Sequence, residues 1–224
     1  MSKFEKLKEL KKDDFKMVIK MTKSNMSTFN DQKVKKSEIA KRLEHSFQVA
    51  DISDIILSEY LKDKNPHFTD MDLYLLKVMK DNDILFIPKL LGIVHDTYKY
   101  CENKYDHGEI ISKQFELWVL MLGIEITPEI QLMIDSLKYH SNKDKNDYDN
   151  LYYKILCDAD IISRKYLMKI DEVKDKHGNI SFNDYEKSLT WCNSYKPKTP
   201  YFNSILHTFQ RDVKDRIKEP DKKK

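Results

Sequence analysis

The most constraining feature of this sequence is an apolar segment that ends in an adjacent histidine and aspartate. The segment runs from Leu90 to Val94, and His95, Asp96 and then Lys99 follow it. An imidazole and a carboxylate at the end of a buried segment are costly to desolvate unless a partner satisfies them, and a divalent metal does so well. The fold must therefore bring other ligand-type side chains to this pair.

Glycine and proline are scarce, which favours helices throughout. Only four glycines and six prolines interrupt 224 residues that are otherwise rich in helix-forming side chains. A chain of this length suits one compact domain. We therefore predict an all-α, single-domain helical bundle. Residues 1–36 are expected to form an N-terminal helical extension, 37–175 the core that carries the site, and 176–224 the C-terminal helices and a basic tail.

Charge and cysteine patterns exclude several classes of protein. The 40 basic and 37 acidic side chains are mixed along the chain apart from its lysine-rich end, so specific nucleic-acid binding is not indicated. Three separated cysteines without a C-x-x-C motif argue against a disulfide framework or a zinc-thiolate site. No segment has the pattern of a signal peptide or a membrane span. We therefore expect a cytoplasmic protein that does not bind membranes.

Three other predicted helices carry a ligand-type residue on the face expected to be buried. His45, His140 and Asp158 each lie on the apolar stripe of a separate helix. A lone histidine on such a stripe is more often a hydrogen-bonded core residue than a ligand. A buried aspartate must find a cation or stay protonated. We interpret Asp160, on another face of the same helix as Asp158, as solvated or as a partner of the ligands.

Two further histidines stand near helix ends. His107 is at the N-terminal edge of a helix predicted to run to about Leu122, where a solvated imidazole is the commoner outcome. His95 and Asp96 are rotated by about 100° from each other on a helix predicted to begin at Pro88. Both can face one metal only where the helix edge meets its neighbours or where the helix distorts. Four imidazoles and two carboxylates together suit borderline divalent metals.

The order of these residues resembles the HD-domain superfamily of metal-dependent phosphohydrolases. The resemblance covers about residues 40–170 and follows the family's H…HD…H…H…D order. Five segments carry it: Arg42-Leu43-Glu44-His45-Ser46, Leu90 to Lys99, Asp106 to Ile110, Lys138-Tyr139-His140, and Ile155 to Asp160. The resemblance implies an HD-type core over 37–175.

The resemblance also implies a role for each matching residue. The implied metal ligands are His45, His95, Asp96, His107, His140 and Asp158. One or two ions of Mn, Fe, Co, Ni, Mg or Zn are expected, with Asp96 bridging if two are present. Lys99 matches the lysine of the family's H-D-x-x-K pattern and would face a phosphate. Arg42 and Arg164 are expected to add positive charge around the substrate.

The function implied is hydrolysis of a phosphomonoester or phosphoanhydride in a small nucleotide-like substrate by a metal-activated water, with Asp96 and Lys99 as catalytic residues. Two other functions are compatible with such a scaffold. One is a non-catalytic module that binds a nucleotide or a protein partner, against which the full ligand set argues. The other is a di-iron oxygenase, against which Lys99 argues.

Overall fold

The structure, a computed structural model, describes residues 20–22, 24–25, 36–62, 68–99, 106–142, 148–167, 190 and 192–218. These ranges consist mainly of helices joined by turns and contain no strand, so the predicted all-α class is confirmed for them. The principal elements are α1 (Lys36–Lys62), α2 (Asp70–Asp81), α3 (Ile87–Val94), α4 (His107–Met121), α5 (Pro128–Tyr139), a 3-10 turn (His140–Asn142), α6 (Leu151–Leu167) and α7 (Pro200–Lys218). The predicted N-terminal extension and the start of the predicted C-terminal unit lie largely outside the described residues.

Helices α2, α4 and α5 begin at side-chain caps that the sequence encodes. Thr69 caps α2 in a reciprocal box with Asp72, with hydrogen bonds of 3.1 and 3.2 Å. Asp106 accepts a 2.9 Å hydrogen bond from the Gly108 amide at the start of α4. Thr127 caps α5, whose first residue is a proline. These caps fix where each helix, and any ligand it carries, begins.

Helix α6 is the centre of the bundle. It contacts α1, α2, α3, α5 and α7, and every residue from Leu151 to Ser163 is buried. The buried apolar side chains of the described helices form one hydrophobic core. A helix enclosed on all sides presents each of its polar groups to a neighbouring helix, which requires each group to find a partner there.

A close crossing of α1 and α3 sets the position of the two helices that carry His45 and His95. A Cβ atom added at Gly92 would lie 2.8 Å from the Cα and N atoms of Ala50. Glycine is therefore required here because the two backbones touch. At this crossing the ring centroids of His45 and His95 are 5.4 Å apart.

Helix α7 closes the bundle by packing on α1 and α6. Its first turn is capped by Thr199, whose Oγ1 accepts a 3.2 Å hydrogen bond from the Phe202 amide. Among the described helices, none has both the length and the apolar character that crossing a bilayer requires.

Candidate metal centre

The chain changes its winding where α3 delivers the His-Asp pair. The α-helix ends at Val94, and the His95 amide still donates to the carbonyl four residues back at 3.0 Å. The amides of Thr97 and Lys99 donate to carbonyls only three residues back, also at 3.0 Å. This tighter turn meets the requirement that adjacent residues face one point, since His95 Nε2 lies 3.5 Å from Asp96 Oδ2.

The carboxylate of Asp96 lies between two pairs of imidazoles. Its Oδ2 atom is 3.5 Å from Nε2 of both His45 and His95. Its Oδ1 atom is 3.2 Å from Nε2 of His107 and 3.9 Å from Nε2 of His140. Four predicted ligands from four separate elements therefore converge on the fifth, and we call these five residues with Asp160 the histidine–aspartate cluster.

Backbone carbonyls determine the tautomers of two of these rings. Nδ1 of His95 lies 2.8 Å from the Gly92 carbonyl oxygen, and Nδ1 of His140 lies 2.6 Å from that of Leu137. Because a carbonyl only accepts, each Nδ1 carries the hydrogen and each neutral ring keeps its Nε2 lone pair. Both Nε2 atoms are buried and have no hydrogen-bond partner in the described part of the chain. A divalent metal satisfies such lone pairs.

The cluster has the donor set and the compactness of a metal site. The ligand atoms of His45, His95 and Asp160 all lie within 4.8 Å of one another, as do those of His95, Asp96 and His140. Imidazole nitrogen and carboxylate oxygen are donors for Zn, Mn, Fe, Co and Ni. The residues present therefore fit a bound divalent cation.

The structure does not bring Asp158 to this cluster. Its carboxylate accepts hydrogen bonds from the Tyr195 hydroxyl at 2.9 Å, from the Lys198 amide at 3.0 Å, and from the amide and hydroxyl of Thr199 at 2.7 Å each. These bonds join α6 to the segment that immediately precedes α7. Burial raises the pKa of Asp158 to about 6, against the opposing effect of Thr199, Lys198 and Tyr195.

Asp160 takes the place predicted for Asp158. Of the two alternatives predicted for Asp160, the solvated one is wrong, because the residue is 3% exposed. Its Oδ1 lies 3.1 Å from His45 Nε2, which is consistent with the other alternative, a partner of the ligands. The physical reason is that every residue from Leu151 to Ser163 is buried, so this part of α6 has no solvent face against which an apolar stripe is defined. The Asp-Ala-Asp sequence contains two candidate ligands. Only the residues that contact each carboxylate show which of the two lies in the cluster.

The more open side of the cluster is lined by cations. Side-chain exposure is 0 to 5% for the buried ligands and 16% for His107. Arg42 donates to Asp96 Oδ2 at 2.7 Å and is 25% exposed, while Arg164 donates to Asp160 Oδ2 at 3.4 Å and is 29% exposed. Nζ of Lys99, an exposed residue, lies 3.3 Å from His107 Nε2.

Electrostatics favour the protonation states that a metal ligand requires. Burial acts to raise the pKa of Asp96, but the hydrogen bond from His107 and the positive charge of Arg42 hold that pKa well below its usual range. Burial lowers the pKa of His95 to about 3 and also lowers the pKa of His107, although Asp96 opposes both shifts. An ionised carboxylate beside neutral imidazoles is the state from which a cation is bound.

Asp106 supports the cluster, although the sequence pattern marked it only as part of a motif. Its Oδ1 atom accepts hydrogen bonds from the Gly108 amide and the Ser141 hydroxyl, and lies 3.7 Å from His107 Nδ1. The carboxylate therefore links the start of α4, which carries His107, to the turn that carries His140. Its position one residue before a helix was the signal for this role.

Comparison of the chain with family models, with curated proteins and with solved structures finds no match.

Proposed function

We propose that this protein is a metal-dependent phosphohydrolase of the HD type, which cleaves a phosphomonoester or phosphoanhydride bond in a small nucleotide-like substrate. The observation that carries this proposal is a buried cluster of imidazoles and carboxylates whose more open side is lined by cationic side chains. The cluster supports metal binding, and the cations support an anionic substrate.

The ligand geometry suggests how divalent cations are held. His45, His95 and Asp160 surround one position, and His107 and His140 face the other oxygen of Asp96. A cation held by these residues would act as a Lewis acid and would lower the pKa of water, which would make hydroxide available near neutral pH. The carboxylate of Asp96 lies between the two pairs of histidines. Both proposed cation positions therefore depend on this residue.

The cationic side chains suit the charge of a phosphate group. The Lys99 ammonium lies beside His107, where it is accessible to a solute, and the guanidinium groups of Arg42 and Arg164 reach the two carboxylates of the cluster. Such donors stabilise the non-bridging oxygens as charge develops on them. An oxygenase acting on an uncharged substrate has no comparable need for three cations.

Hydrolysis forms a bond between a water oxygen and phosphorus and breaks the bond from phosphorus to the leaving oxygen. We assign Asp96 to orient the attacking water as a hydrogen-bond acceptor and Lys99 to donate to a non-bridging oxygen. The burial of His95 and His140 excludes bulk water from the far side of the cluster. Attack is thereby confined to the side that carries the cations.

The direct test is phosphate release from a panel of nucleoside mono-, di- and triphosphates, after chelation and reloading with Mn²⁺, Co²⁺ or Mg²⁺. We expect turnover that chelation abolishes and that Asp96→Asn reduces about 100–1000-fold, since the loss of one central electrostatic group costs about 10²–10³ in rate. Asp51→Asn is the matched control because Asp51 is 72% exposed on α1; it should retain full activity.

If no phosphate is released, nucleotide-binding and oxygen-consumption assays on the same metal-loaded protein distinguish the alternatives. Binding of a nucleotide without turnover under any metal would indicate a non-catalytic module. Oxygen consumption with an organic substrate would indicate a di-iron oxygenase. Equal turnover by the wild-type protein and Asp96→Asn would show that the cluster takes no part in the reaction.

A further inference from the structure

His45 differs from His95 and His140 in what holds its ring. Those two rings donate from Nδ1 to backbone carbonyls, whereas Nδ1 of His45 lies 3.2 Å from the hydroxyl of Ser163. Ser163 is fully buried on α6, one turn beyond Asp160. Its side chain is therefore the point at which a substitution can alter a ligand's tautomer without changing any ligand.

The hydroxyl of Ser163 has one hydrogen, and the hydroxyl donates it to a backbone carbonyl and not to His45. Oγ donates to the carbonyl oxygen of Asp160 at 2.7 Å. Toward His45 the hydroxyl can then only accept. Nδ1 of His45 must carry the hydrogen, and in the neutral ring Nε2 keeps its lone pair. That Nε2 atom is buried and lies 3.1 Å from Asp160 Oδ1.

We propose that Ser163 is a positioning residue that holds His45 in the tautomer whose Nε2 lone pair faces the cluster, and that it sets the affinity of the cluster for a divalent cation. The proposal rests on the metal centre of the proposed function but not on its reaction. One hydroxyl thereby connects two ligands, because it binds the ring of His45 and the backbone of Asp160. Without it, Nδ1 of His45 has no acceptor among the residues that the structure describes, and the opposite tautomer directs an N–H at the cluster.

The test is titration of the metal-free full-length protein with Co²⁺, followed by its absorption spectrum. Ser163→Ala should raise the dissociation constant about 10–100-fold, the usual effect of losing a group that orients a metal ligand. Ser163→Thr retains the hydroxyl, so this variant should keep most of the wild-type affinity for Co²⁺. Ser53→Ala is the matched control, because Ser53 is a buried serine of α1 whose hydroxyl donates to the Val49 carbonyl at 2.8 Å; its dissociation constant should equal that of the wild-type protein.

A spectroscopic measurement keeps the proposal testable if a variant folds poorly. In ¹⁵N-labelled metal-free wild-type protein at neutral pH, the long-range ¹⁵N–¹H correlations of His45 should show the hydrogen on Nδ1. A hydrogen on Nε2, or an unchanged Co²⁺ dissociation constant in folded Ser163→Ala, would overturn the assignment. If the affinities change as expected while no phosphate ester is cleaved, the proposed reaction fails and the role of Ser163 stands.

Discussion

Replacing Asp158 or Asp160 by asparagine, one at a time, distinguishes a structural carboxylate from a proposed metal ligand. The two residues lie on the same buried helix and undergo the same isosteric change. Asp158 accepts hydrogen bonds from two amides and two hydroxyls of the segment just before α7, at 2.7 to 3.0 Å. Asp160 instead faces His45 and Arg164. We expect Asp158→Asn to lower stability and Asp160→Asn to lower metal affinity.

The magnitudes follow from the partners. In Asp158→Asn, the new NH₂ group faces the donors that one carboxylate oxygen had accepted, such as the amide and hydroxyl of Thr199. Each buried donor left without an acceptor costs about 1–3 kcal/mol, so two such donors should lower the free energy of unfolding by about 2–6 kcal/mol. For a protein of this size the Tm should fall by roughly 4–24 °C. Asp160→Asn should lower cation affinity by more than the ~10–100-fold that follows loss of a supporting partner.

Two assays measure these effects separately. Thermal unfolding in the presence of a chelator reports the stability of the metal-free protein, and Co²⁺ titration of the folded protein reports its affinity. We expect Asp158→Asn to melt early yet bind Co²⁺ as the wild-type protein does below its Tm. The reasoning is refuted if Asp158→Asn loses Co²⁺ binding with its Tm unchanged while Asp160→Asn binds normally.

Three other substitutions test the packing around the cluster. Gly92→Ala places a methyl group 2.8 Å from the backbone of Ala50; we expect a loss of about 1–3 kcal/mol in denaturant unfolding and weaker Co²⁺ binding, and a variant as stable as the wild-type protein would contradict the close crossing. Lys154→Met removes the partner 2.7 Å from the buried carboxylate of Asp72 and should cost about 3–5 kcal/mol, which chemical denaturation measures; a cost below 1 kcal/mol would show that this pair does not hold α2 to α6. Asp106→Ala removes the cap of α4 at a cost of about 0.5–2 kcal/mol and should weaken Co²⁺ binding, whereas unchanged affinity would show that its contacts do not position the adjacent histidine.

The helices were predictable from the sequence because their signals are local. Helix starts are predicted by capping residues that depend on only a few neighbours in the sequence, as at Thr69, Thr127 and Pro128. The positions of His45 and His140 on apolar stripes predicted that both side chains would be buried, and both are. Periodicity suffices wherever a helix has one buried and one exposed face.

The choice between Asp158 and Asp160 was not predictable in this way. Helix α6 is buried on all sides from Leu151 to Ser163, so the two carboxylates have the same local surroundings in the sequence and differ only in which neighbouring segment faces them. The change of winding after Val94 and the contact of Gly92 with Ala50 also depend on packing between distant segments. The hydroxyl of Ser163 was missed because its importance comes from a ring 118 positions away in the chain.

The most direct test of the central claim is the X-ray absorption spectrum of the wild-type protein loaded with Co²⁺. The cluster predicts tight binding of at least one equivalent, with a ligand shell of nitrogen and oxygen that includes at least two imidazoles and no sulfur. A protein that binds no stoichiometric cobalt, or a spectrum without imidazole ligands, would contradict the claim that these histidines and aspartates form a metal centre.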